Sequence, residues 1–169
     1  MKTSIRIALR NAAATAALLG ASVSHADAPS FTMTVFEDAA HGSKVVAGRY
    51  DSAIERLTRA PIRFGNDVEG LTNLCVAYTK SGQLDEAVTA CESAVTLLES
   101  SNRELPAKAN ARGYAQRQYA TELAIALSNR GVVRVAQGQE ELAAEDFEKA
   151  AELEAGVSAP AINLARLER

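Results

Sequence analysis

The residues of this 169-residue chain best suited to chemistry are its two cysteines and three asparagines that share a spacing. Cys75 and Cys91 each lie eight residues from Gln83. If the chain doubles back at Gln83 as two helices, the two sulfurs sit at the same height on facing arms. Three states fit that placement: a structural disulfide, two buried thiols, or a redox pair. The spacing lacks the tight CxxC arrangement that tunes a redox thiol, and in an exported protein a bridge is the natural outcome. Closing a loop of this length contributes roughly 3 kcal/mol in the chain-entropy account. Asn73, Asn129 and Asn163 are the other candidates, because a side-chain amide donates and accepts at once. Beyond the N-terminal region, His41 is the only histidine, with Glu37 and Asp38 nearby. One imidazole and two acids fall short of a metal or catalytic set, so His41 reads as an exposed loop residue. No phosphate loop, nucleophile elbow or metal-ligand cluster appears. The expectation is therefore no enzyme, no catalytic residue, no metal and no cofactor.

The elements that position these residues follow from a repeat. Gly48, Gly82 and Gly138 each begin one pattern. Alanine follows at the fifth place (Ala53, Ala87, Ala143), a bulkier residue at the ninth (Leu57, Cys91, Phe147) and alanine at the twelfth (Ala60, Ala94, Ala150). Gly48 and Gly82 are 34 residues apart, Asn129 and Asn163 likewise, and the step from Gly82 to Gly138 is longer by 22. Within the middle unit, Leu71, Leu74, Cys75 and Tyr78 share one helical face, as do Leu84, Ala87, Val88, Cys91, Val95 and Leu98 after the turn. Alanine is abundant (34 residues), tryptophan is absent, and aromatic residues are 5% of the chain. That balance favours closely packed helices over a sheet.

The pattern resembles the tetratricopeptide repeat, a 34-residue helix–turn–helix unit. Residues 73–78 (Asn-Leu-Cys-Val-Ala-Tyr) with 82–87 (Gly-Gln-Leu-Asp-Glu-Ala) carry it best. Asn129-Arg130-Gly131 with Gly138 to Ala150 come next. The resemblance covers roughly residues 43–169, with 158–169 in register as the first helix of an unfinished unit. It implies an all-α fold of antiparallel helical hairpins stacked as a short right-handed solenoid. It also implies that Asn73, Asn129 and Asn163 line the concave groove and hold the backbone of an extended peptide, although asparagine also serves helix packing at this place in such repeats. Departures are visible. His41-Gly42-Ser43 interrupts the leading helix of the first unit, and Pro61 stops its second helix. Arg130 and Arg134 stand where repeats of this kind place apolar residues.

The remaining segments set the address. Lys2, Arg6 and Arg10, the apolar run Ala12–Gly20 and the small residues Ser24 and Ala26 read as a signal peptide over residues 1–26. The apolar run is shorter than the roughly 20 residues a spanning helix needs. The expectation is a periplasmic or secreted protein without membrane insertion once the signal is removed. Formal net charge is −3 for the whole chain, and more negative without the three basic residues of the signal, which argues against nucleic acid as a partner. Residues 27–42 form a leading segment in which 31–36, Phe-Thr-Met-Thr-Val-Phe, alternates as a short strand does. That strand can pair with a partner, tuck against the first hairpin, or cover apolar surface as an ordered tail. The 22 extra residues, near 102–123, are locally basic; Pro106 and Gly113 mark a loop, with one long helix from Tyr114 to Gln137. The acids from Glu140 to Glu154 read as the solvated face of the last full hairpin. Two functions compete: a module binding a protein or peptide in its concave groove, and an envelope protein that self-associates.

Overall fold

The computed structural model describes residues 30–59, 67–101 and 109–169. The signal segment, Pro61 and residues 102–108 lie outside them. Among the described residues the chain folds as seven helices: α1 Gly42–Val46, α2 Tyr50–Arg59, α3 Val68–Ser81, α4 Leu84–Ser101, α5 Ala109–Ala136, α6 Glu140–Leu153 and α7 Ser158–Leu167. Consecutive helices pack as hairpins, α3 with α4 and α5 with α6, while α4 meets α5 and α6 meets α7 to join one unit to the next.

Each hairpin turns on the same device. Gly48, Gly82 and Gly138 have φ of 70°, 79° and 74°, the left-handed region that glycine enters without a Cβ penalty. The residue after each glycine then donates its N–H back to a carbonyl five positions earlier. Arg49 reaches Lys44 at 2.9 Å, Gln83 reaches Tyr78 at 2.9 Å, and Gln139 reaches Arg134 at 2.9 Å. This 6→1 bond closes the end of the first helix and satisfies carbonyls that would otherwise be orphaned.

Small residues let the arms approach. Ala53, Ala87, Ala143 and Ala150 are wholly buried, and Leu57 and Phe147 are nearly or wholly so. Gly131 on α5 faces Phe147 on α6, where an added Cβ would meet the ring at 2.5 Å. One unit earlier, the two positions in the same register are Cys75 and Cys91, and these are joined as a disulfide with Cα atoms 5.0 Å apart. A covalent bridge in one hairpin and a ring seated on a glycine in the next thus fill equivalent space.

Three sequence expectations need correction. Gly113 is not in a loop, because α5 begins at Ala109 and runs unbroken through it. An isolated glycine costs a helix about 1 kcal/mol relative to alanine, too little to stop a helix held by packing at Leu123, Ala124 and Leu127. Nor are the acids of α6 all solvated, since Asp146 is buried. The leading helix of the first unit is only the five residues of α1; His41 precedes it with positive φ, while Gly42 and Ser43 open the helix instead of interrupting it.

Reducing the Cys75–Cys91 bridge, or replacing both cysteines with serine, should lower unfolding free energy by about 3 kcal/mol while leaving the helical fold intact. Chemical denaturation followed by far-UV circular dichroism measures this.

Candidate peptide groove

Asn73 lies on α3, Asn129 on α5 and Asn163 on α7, the leading helices of successive units. All three are buried, at 0%, 1% and 0% exposure. A buried amide must find partners for its donors and its acceptor, or lose about 1–3 kcal/mol in desolvation. The partners here are the main-chain groups of residues 30–36, which run extended across the three helices.

The register is regular. The Thr32 N–H donates to Asn163 Oδ1 at 2.8 Å, and Asn163 Nδ2 donates to the Thr32 carbonyl at 2.8 Å. Thr34 and Asn129 exchange the same pair at 2.9 and 2.8 Å. Phe36 and Asn73 do so at 2.9 and 3.0 Å. Each asparagine thus mimics a neighbouring β-strand residue, closing a two-bond ring with every second residue of the segment. Asn73 also donates to the carbonyls of Ala39 and Ala40 at 3.1 and 3.3 Å. Those contacts hold the turn in which Ala40 and His41 take positive φ, 41° and 59°, a conformation that costs non-glycine residues on the order of 1–3 kcal/mol.

Side chains fix what the amides align. In an extended chain alternate residues point to opposite faces, and Phe31, Met33 and Val35 pack into the apolar clusters. Phe31 stacks on Phe147 with ring centroids 6.2 Å apart. Met33 touches three clusters, bridging the surroundings of Leu57, Val45 and Val132. At the far end Arg166 donates to the Ser30 carbonyl and, at 2.9 Å, to Thr32 Oγ1. The sequence-predicted strand and the sequence-predicted asparagines are thus one site, and the segment lies across the leading helices instead of pairing in a sheet.

A second polar group was missed from sequence. Arg130 donates twice to Asp146, from Nε at 3.0 Å and from a terminal nitrogen at 2.7 Å. Arg134 completes the cluster at 2.8 Å from Oδ2, the oxygen that also accepts from Arg130 Nε, and donates to the Leu142 carbonyl at 3.0 Å. Burial works against the Arg130 cation, but its hydrogen bond and charge interaction with Asp146 outweigh this and hold its pKa above the usual arginine value. The signal was available: Arg130 and Asp146 stand eight residues either side of the turn glycine Gly138, with the same separation of 16 residues as the two cysteines. The two arginines that depart from the repeat pattern therefore tie α5 to α6. Among the described residues, no group of three or more metal-ligating side chains comes together, and no helix is long and apolar enough to cross a membrane.

The glycine-turned hairpins, stacked through small residues around a groove of leading helices, can be matched to known architectures. Two solved structures align along 75% of the chain at 24% identity. They are the first such domain of Spaghetti (RPAP3) bound to an HSP90 peptide, at a TM-score of 0.55 over 82% of its length, and the second such domain of human RPAP3 in complex with an HSP70 peptide, at 0.54 over 88%. The fold is that of a tetratricopeptide repeat. No family model matches the chain, and no curated protein matches it by sequence. The tetratricopeptide likeness rests on architecture, and at this identity it speaks for the fold alone. Three turns and a terminal leading helix are present, with an α5 of 28 residues against 14 for α3. Part of that lengthening packs into the body, since Tyr119 lies against the core of α4 and α5.

Two substitutions test the site's energetics. Asn129→Ala should cost about 2 kcal/mol, because it strands the main-chain groups of Thr34; urea unfolding reads this. Asp146→Ala should cost about 3 kcal/mol by leaving two arginines without their carboxylate. Asp146→Asn should recover part of that loss in the same assay, by keeping hydrogen bonds to the guanidinium groups.

Proposed function

We propose that this chain is an exported protein-interaction module, periplasmic or secreted, whose concave groove receives a peptide in extended form. The observation that carries the reading is the ladder of Asn73, Asn129 and Asn163. Three amides grip main-chain N–H and C=O at every second residue of an extended segment. Such a ladder reads backbone shape and leaves sequence preference to the apolar sites that take alternate side chains. It suits a partner protein or peptide and has no use for a metal, a cofactor or nucleic acid. The two solved structures described above are complexes with peptides, which supports the reading by analogy. The export assignment rests on the signal-like residues 1–26.

The groove is filled by the chain's own residues 30–36, so its capacity for peptide is measurable once that segment is loosened. Thr34→Pro removes the N–H that Asn129 accepts while keeping the chain at full length. A labelled peptide with the sequence of residues 29–37 should then bind the Thr34→Pro protein, seen as a rise in fluorescence anisotropy. It should fail to bind when Asn129→Ala is added. Failure of the Thr34→Pro protein to take up the peptide, with its helical circular dichroism intact, would count against the ladder as a peptide site.

A further inference from the structure

In an extended chain, the N–H and C=O of one residue point to one edge and those of the next residue to the other. The asparagine ladder uses the edge formed by Thr32, Thr34 and Phe36. The opposite edge, formed by Phe31, Met33 and Val35, has no partner: no hydrogen bond within the described protein uses the main-chain N–H or C=O of these three residues. Main-chain groups of this kind must be satisfied by water or by another chain. The segment also lacks the devices that discourage strand pairing. Residues 30–36 contain no lysine, no proline and no charge.

Beside the segment lies open space of the right character. A trough of about 560 Å³ reaches the segment at Ser30 and Phe31. Val132, Val135, Ala136 and Leu167 line it, with Lys80, Glu140 and Arg166 among its charged residues. An added strand sits about 4.8 Å from the one it pairs with and sends alternate side chains to one face. A trough with apolar walls at the Phe31 end of an unpaired edge meets both needs there.

We propose that the free edge of Phe31, Met33 and Val35 is a docking site for an extended segment of a partner protein, which adds to residues 30–36 as a second strand with apolar side chains at alternate positions. The proposal rests on the groove being a peptide site and names how that site is used while the ladder is occupied. Displacing the chain's own segment is the costlier route. A tethered segment acts at an effective concentration on the order of millimolar, and a competitor must break the ladder bonds before it makes its own. Addition leaves them in place. A second copy of this chain is a poorer occupant, because pairing two such edges gathers Lys80, Arg166 and Arg169 from both copies into one interface, with Glu140 as the acid that lines the trough beside them.

The test fuses an eight-residue strand of alternating threonine and valine after Arg169, through a Gly/Ser linker of about ten residues, to the otherwise unchanged chain. Arg169 also lines the trough, so the tether raises local concentration where the edge lies. Amide hydrogen exchange is followed by NMR against a fusion carrying the linker alone. Pairing should slow exchange at Phe31, Met33 and Val35 by about tenfold or more, with Thr32, Thr34 and Phe36 unchanged. A proline in place of each valine should abolish the effect. Loss of protection at Thr32, Thr34 and Phe36 would mean displacement; it overturns strand addition while upholding the ladder as a peptide site. No change at any of the six amides also overturns the proposal, and the Thr34→Pro experiment then decides separately whether the ladder binds peptide. Slowing at Phe31, Met33 and Val35 that grows with protein concentration in the linker-only fusion would assign the edge to a second copy, against the proposal.

Discussion

Three side-chain amides buried on the inner face of a helical stack impose the constraint around which the rest of the molecule is arranged. Asn73, Asn129 and Asn163 are shut away from water, so each needs a partner offering both a donor and an acceptor. An extended main chain is a partner that meets this at three sites in series, because its groups repeat with a period of two residues. The repeat spaces the asparagines so that residues 32, 34 and 36 meet them in turn. The direction follows too: the segment begins over α7 and ends over α3, next to the turn that starts α1.

The apolar side of the segment makes this arrangement more than a set of polar contacts. Phe31, Met33 and Val35 supply surface to clusters whose other members come from all seven helices. The first unit has only five residues of leading helix, and Met33 and Val35 pack against Val45 and Ala53 there. The polar ladder sets the register, and side-chain burial holds it. Neither alone explains why a seven-residue segment lies so regularly across three helices.

Much of the architecture was legible because it is periodic. The glycine spacing marked the turns, the alanines the close approach of paired helices, and the symmetric placement of Cys75 and Cys91 about Gln83 their meeting. The asparagines were legible as a set for the same reason. What could not be read was that residues 30–36 are their partner. The separations involved, 37, 95 and 131 residues, follow no repeat, and alternation shows that a segment is extended without saying what it lies against. Gly113 misled because helix propensity is a weak prior beside packing. Asp146 misled because it sits among acids that are mostly exposed, and only its symmetry with Arg130 about Gly138 sets it apart.

A stack of helical hairpins is in principle quasi-one-dimensional: each unit touches its neighbours, and stability is a sum of local and adjacent terms. Such arrays fray from their ends and have low contact order. The segment over α7, α5 and α3 alters that topology by linking the beginning of the described chain to its end, with Thr32 and Asn163 131 residues apart in sequence. Fraying of α7 then loosens contacts to residues 30–32, and detachment of that segment exposes apolar surface along the middle units. The array gains the all-or-none cooperativity of a small globular domain, and folding carries a late, non-local closure step of the kind that slows chains of high contact order.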